Sequence, residues 1–290
     1  MNKKALLVFL GLSFGITMIL IAIARWKGMT LFDGNLIQSQ LLILGAMFLP
    51  GLSAIFTQWV VLKKPIRSLG FEIGPPVAYL YCFLFVLGMF VIHYGITWLW
   101  ILPPDFTLNH FMQEYSIEGG LPLPAWQMIL SFMLVTLFTS PLMNLIPSLG
   151  EEIGWRGFLL PLLKPAGEIN AVIGSAMIWA LWHTPMIIFL GFGYGHQIWP
   201  GILLHFLMVT GLGMVMGYLW LKTRSVLLAG FMHGVFNGHA YGVWSMIFVS
   251  QNKVWVGAGS IVGAFLWVLA GLLALQLIRR DMKRSENEYE

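Results

Sequence analysis

Long apolar runs separated by short polar breaks dominate the chain. Reading for apolar length and for breakers predicts membrane-crossing helices near residues 5–24, 37–62, 77–102, 126–147, 169–190, 198–221, 226–248 and 254–278, since about 20 apolar residues are needed to cross the hydrocarbon layer. Between the fourth and fifth runs lies a shorter segment, Gly150 to Leu163, that carries Glu151, Glu152 and Arg156. It is too short and too charged to be an ordinary span. The expected architecture is all-α, a polytopic transmembrane helical bundle of about eight spans, forming a single transmembrane helical domain over 1–290 with its motif core at 150–240. No internal repeat or low-complexity tract interrupts it, and the largest soluble appendage is the polar tail from Arg279 to Glu290.

Composition agrees with a lipid environment. The 290 residues are 58% hydrophobic and 10% charged, whereas a soluble domain carries roughly a quarter charged residues. The formal charge of +4 would suggest nucleic acid as a partner of a soluble protein, but here the basic residues stand at the ends of apolar runs, where they act as topology signals. The lipid bilayer is the expected partner and nucleic acid is not. The single cysteine, Cys82, lies inside an apolar run, so no intrachain disulfide or paired-cysteine metal site is possible. Lys3 and Lys4 precede the first run as in a signal peptide, but Ala5–Ala24 is longer than the usual signal core of roughly 7 to 15 residues, so a retained first helix is expected.

With eight spans, Lys63, Lys64 and Arg67, then Lys222 and Arg224, then Arg279, Arg280, Lys283 and Arg284 all fall on one side. The loop from Pro103 to Ala125 holds Asp105, Glu114 and Glu118 and no Lys or Arg, as an outside loop should. These features predict a multi-pass plasma-membrane protein with both termini cytoplasmic, Arg25 and Lys27 being the discordant pair.

An ionisable side chain at membrane depth costs several kcal/mol unless paired or hydrated, so such groups usually face a bundle interior or a wet cavity. If Gly150–Arg156 is helical, Glu152 and Arg156 stand at i and i+4 in the favourable order for an ion pair, and Glu151 turns about 100° away. Glu151 is then the free carboxylate, suited to general-base work on water. Pro147 and Gly150 are the candidate breakers that would turn it back into the bundle. The bland alternative is a helix end in the headgroup layer with both glutamates solvated. His183 lies in the fifth run and His233 with Asn237 in the seventh, the last two one turn apart on one face. Beside them Gly230, Gly234, Gly238 and Gly242 form a stripe that permits close helix approach, so the seventh run is expected to pack against the helix bearing His183 or the Glu151 segment. His93, His110, His196, His205 and His239 have no informative spacing, with His239 the best exception because it is near Asn237.

Together, Glu151-Glu152-x3-Arg156, Trp179-x3-His183 and His233-x3-Asn237 resemble the three motifs of the CPBP intramembrane protease family, which includes type II CAAX prenyl proteases and bacterial Abi proteins. The family's usual second motif is Phe-x3-His, and this chain has Trp179 in place of the Phe. The resemblance implies an endopeptidase that hydrolyses membrane-associated or lipidated peptide substrates, and the placement of Glu151 at the cytoplasmic end of the fourth run makes it one that opens toward the cytoplasm. It implies that Glu151, His183, His233 and Asn237 are catalytic and that Glu152 with Arg156 is a structural pair. Two chemistries fit these residue types. In one, His183 and His233 with Glu151 hold Zn²⁺ and the metal activates water. In the other no metal takes part, Glu151 deprotonates water and His233 with Asn237 donates to the oxyanion. Asn is a poor zinc ligand and a good oxyanion donor, which favours the second.

Three rival functions use the same residues differently. A proton-coupled transporter would also need carboxylates and histidines in a wet cavity, although repeated halves with broken helices are not apparent. A haem carrier would use His183 and His233 as axial ligands and leaves the charged segment unexplained. A catalytically silent immunity or binding protein on the same scaffold is the third. The chain's last residues, Asn287-Glu288-Tyr289-Glu290, form no lipidation signal of their own.

Overall fold

A computed structural model describes residues 1–31 and 36–287, so the end of the polar tail, Glu288 to Glu290, lies outside the described residues. Among the described residues the fold is all-α, with no strand. In chain order the helices are α1 (Lys3–Trp26), α2 (Leu36–Phe56), α3 (Pro76–Trp100), α4 (Asn109–Glu114), α5 (Ala125–Leu134), α6 (Ser140–Glu152), α7 (Leu160–Leu163), α8 (Glu168–Leu190), α9 (Ile198–Thr223), α10 (Val226–Ala240), α11 (Val243–Ile247) and α12 (Ile261–Asn287). Local chemistry marks several ends. The Asn2 side chain accepts from Ala5 N–H at the start of α1, and Ser225 Oγ accepts from Leu228 N–H at the start of α10. Gly191, at φ +71°, closes α8 in a left-handed turn that suits glycine.

Seven described segments are long and apolar enough to cross a membrane. Large side chains such as Leu7, Phe85, Phe138, Met143 and Phe265 are exposed along them, as lipid-facing residues must be. The chain is thus a membrane-embedded helical bundle. Two features differ from the expectation drawn from hydropathy. The fourth span and the charged segment after it are one element: α5, α6 and α7, joined by π-helical turns at Val135–Thr139 and Ile153–Leu159, make a continuous rod of 42 residues, Ala125–Ala166. Pro147 lies inside α6 without ending it. Glu151 therefore reaches the middle of the bundle because the rod runs on past it, not because the chain breaks and turns back.

The other difference is the seventh run. Instead of one helix over 226–248, it forms α10, of 15 residues, and α11, of 5, separated at Tyr241 and Gly242. It still carries the chain from one end of the bundle to the other. At its start Val226 N–H donates to Gly70 O, beside the α2–α3 connection, and at its end Ile247 O accepts from Asp105 N–H in the α3–α5 connection. The final helix begins only at Ile261, after a connection tied to the α8–α9 turn through Tyr194 Oη to Gly259 O. A helix too short to face lipid along its whole length is tolerated here because α10 is buried among other helices over most of its length.

Close approach comes from glycine on two sides of α6. Across the α6–α10 contact, a Cβ on Gly230 would lie 2.7 Å from Leu149 Cδ2, on Gly234 2.8 Å from Pro141 O, and on Gly238 2.9 Å from Ser140 Cβ. The stripe thus packs against the helix that bears Glu151. On the opposite side, a Cβ on Gly150 would come within 2.8 Å of Met47 O and one on Gly154 within 2.7 Å of Pro50, which brings α2 against the rod.

Candidate active site

The charged segment sits at the centre of these contacts. Glu151 is 2% exposed, and Glu152 and Arg156 are both fully buried. Arg156 Nη1 donates to Glu152 Oε1 at 2.9 Å and lies 2.8 Å from Oε2. Its Nη2 donates to Gly213 O at 3.3 Å, in a space where a Cβ on Gly213 would meet Ala176 at 2.7 Å. Its guanidinium also stacks over the Trp179 ring, 4.3 Å from the centroid.

Glu151 is not the unpartnered acid that the spacing alone suggests. Its Oε2 accepts from Trp179 Nε1 at 2.6 Å and from Trp155 Nε1 at 3.4 Å. Trp155 follows Glu151 by four residues through the start of the π-helical turn, and Trp179 arrives from α8. Two indole N–H groups therefore hold one carboxylate oxygen and leave the other unengaged by them. Phe at position 179 would supply the ring but no donor, so the tryptophan in the second motif changes the chemistry at Glu151 as well as the shape of the pocket.

The two motif histidines are oriented through their Nδ1 atoms. His183 Nδ1 is 3.0 Å from Trp179 O. A carbonyl oxygen can only accept, so that nitrogen carries the proton and Nε2 of the neutral ring is an acceptor. His233 Nδ1 is 3.0 Å from Glu152 Oε1, so His233 bonds the carboxylate already paired with Arg156 and not Glu151. Trp179 links the group: its ring lies edge-on to His233 at 5.2 Å and to His183 at 5.8 Å.

Glu151, His183, His233 and Asn237 all line one cavity of about 260 Å³, together with Asn144, Tyr241 and the apolar residues Ala46, Met47, Trp182 and Met186. Asn144 Nδ2 is engaged by Ser140 O at 2.9 Å, which leaves its oxygen for the cavity. The four candidate catalytic residues thus meet at one place, with Glu152 and Arg156 directly behind them. Beside Trp179 of the second motif, Trp155 and His205, which spacing did not single out, also belong here. Trp155 and Trp179 clamp Glu151, and His205, from α9, packs its ring 4.8 Å from that of His183. His239, the expected exception, is a packing residue: its Nδ1 accepts from Trp244 Nε1 at 3.0 Å and its ring stacks on Phe90. His93 bonds Ser260, and His110 pairs with Asp105 outside the bundle.

Among the described residues no group of three or more His, Cys, Asp or Glu side chains is arranged to hold a metal, whereas catalytic zinc takes three protein ligands and a water.

Residues 126–239, which include every motif residue, match the family model described as Type II CAAX prenyl endopeptidase Rce1-like. Over this core the chain is similar to the CAAX-protease family. The match ends just beyond Asn237 and takes in the rod, α8, α9 and nearly all of α10. Comparison with curated proteins found no match. The matched segment supplies the cavity lining from α6, α8 and α10, while α2, which supplies Ala46 and Met47, lies outside it.

Proposed function

We propose that the chain is a glutamate-dependent intramembrane endopeptidase that cleaves membrane-associated peptides, and that Glu151 activates the attacking water. The observation that carries this reading is the shared cavity: a buried carboxylate, an imidazole whose open nitrogen is an acceptor, a second imidazole and an amide converge on it. Water held between the outer oxygen of Glu151 and His183 Nε2 gives a proton to Glu151 as its oxygen attacks the scissile carbonyl. The resulting oxyanion accepts from His233 Nε2–H and the Asn237 amide. Glu151 then returns the proton to the leaving amine, so no charge is left in the pocket.

Charge balance supports the assignment of His233 as donor. Glu151 and Glu152 contribute two negative charges, and Arg156 contributes one positive. With His233 as the second cation, paired to Glu152 at 3.0 Å, the buried cluster is neutral, which lowers the cost of keeping ions out of water. In this reading Glu152 and Arg156 touch no substrate and serve to hold His233. The plasma membrane remains the proposed location, with both termini on its cytoplasmic side. Comparative peptidomics of membranes carrying the wild type against Glu151→Ala tests the function. Peptides that accumulate only with the wild type support it, and identical peptide sets contradict it.

A further inference from the structure

The two ends of the bundle differ in charge and in access to the cavity. At one end, connections 62–75, 164–167 and 222–225 lie with both helical termini, held by Val226 N–H to Gly70 O, Ser225 Oγ to Glu72 O at 2.5 Å and Lys222 to Asp281 at 2.9 Å. This end carries Lys3, Lys4, Lys63, Lys64, Arg67, Lys164, Lys222, Arg224, Arg279, Arg280, Lys283 and Arg284. The opposite end gathers Leu31 with Leu190, Asp105 with Ile247 and Gln197 with Val254, and its basic residues are Arg25, Lys27 and Lys253. Lys253 lies 3.8 Å from Glu114.

Among the described residues the cavity lining reaches only one of these ends. From Glu151 its lining passes His183, seven residues before the end of α8, to Phe192 in the α8–α9 turn and Tyr241 just beyond α10. Tyr241 is 65% exposed. In the other direction Leu69, Phe158, Leu159, Leu160 and Val226 are all buried and close the floor, with a Cβ on Gly157 only 2.6 Å from Leu69 O. The open end is the one poor in basic residues.

Basic connections stay on the cytoplasmic side. We infer that the cavity opens toward the extracytoplasmic face, so that its substrate is the extracytoplasmic end of a membrane-held peptide. This rests on the endopeptidase reading for the word substrate and on geometry and charge alone for the side. It reverses the cytoplasmic opening that follows from placing Glu151 at the end of a fourth span near residue 147. A lipidated tail anchored in the cytoplasmic leaflet would meet the closed floor. A segment held in the membrane with its cleavable end on the other side would meet the mouth between α2 and α6, where Leu44 and Met143 face lipid.

The test places single cysteines in the full chain, expressed in spheroplasts of a bacterial host and treated with a membrane-impermeant maleimide. The wild type, whose Cys82 is buried, gives the background. Tyr241→Cys at the mouth and Glu118→Cys in the α3–α5 connection should label in intact spheroplasts, and Arg67→Cys only after lysis. Labelling of Arg67→Cys in intact spheroplasts, with the other two protected, overturns the inference. So does labelling of Glu118→Cys while Tyr241→Cys stays protected even after lysis. A second arm supplies an impermeant quenched apolar peptide, which should be cleaved by spheroplasts and not by sealed inside-out vesicles; the reverse overturns the inference. Loss of Glu151-dependent cleavage in detergent, where sides no longer matter, would instead remove the endopeptidase reading and leave the labelling result standing.

Discussion

Replacing Arg156 by Met tests whether the buried charges are held as one neutral cluster. Arg156 and Glu152 are both fully buried, with Nη1 and Oε2 2.8 Å apart. At that distance, and at an effective dielectric of about 20, their attraction is about 6 kcal/mol before desolvation is counted. Much of that is cancelled by the cost of removing both ions from water, but removing one partner alone leaves the other's desolvation uncompensated, at about 3 to 5 kcal/mol. Arg156→Met leaves Glu151, Glu152 and His233 with a net negative charge and also removes the guanidinium from the Trp179 face. The unfolding midpoint of the purified protein in detergent should then fall by about 10 °C. Adding Glu152→Gln restores the charge balance and should recover most of the loss, because the remaining charges of Glu151 and His233 cancel. Two results would refute the reasoning: a single variant as stable as the wild type, or a double variant no better than the single one.

Trp179→Phe keeps the aromatic ring and removes one N–H. Since a hydrogen bond to a charged acceptor is worth about 1.5 to 3 kcal/mol, kcat on a quenched peptide should fall by about tenfold or more with KM little changed; a wild-type kcat would show that the indole does not position Glu151. Asp105 lies outside the bundle. Its slight burial works against ionisation, but hydrogen bonds from Thr107 and the His110 backbone, with His110 close by, hold it at about 2, below the ordinary 3.8. The order it gives to the loop should therefore be complete above about pH 4 and lost as the pH falls toward 2, seen as faster amide exchange at Thr107 and His110; pH-independent protection would contradict it. Under the glutamate-dependent reading, chelator treatment of the purified protein should leave peptide cleavage unchanged, and loss of cleavage restored by added Zn²⁺ would overturn that reading.

The bundle and part of its site were legible in the sequence because they depend on local spacing. Apolar length revealed the crossings, the i, i+4 placement of Glu152 and Arg156 revealed the ion pair, and the four-residue glycine period revealed the close approach of α10 to α6. What stayed hidden depends on distant partners or on backbone detail. Hydropathy measures how apolar a run is and cannot tell a lipid-facing helix from a buried one, so α10 read as a full span. The π-helical turns at 135–139 and 153–159 leave no mark in hydropathy, so the rod read as a span followed by a charged fragment. That error placed Glu151 at a helix end. The hydrogen-bond partners of Glu151 and His233 stayed hidden because side-chain direction across 28 and 81 residues of sequence is set by packing. A tryptophan in place of a phenylalanine one turn before His183 was the one sequence signal of a donor near the acid.

The most direct measurement compares purified wild type with Glu151→Gln in the hydrolysis of a quenched apolar peptide in detergent, with folding of both checked by thermal unfolding. Gln keeps the shape and can still contact the indoles, but it cannot take a proton from water. The account predicts a folded variant whose cleavage falls by at least about a hundredfold, the lower range of what a general base contributes. A folded Glu151→Gln protein that cleaves at the wild-type rate would contradict it.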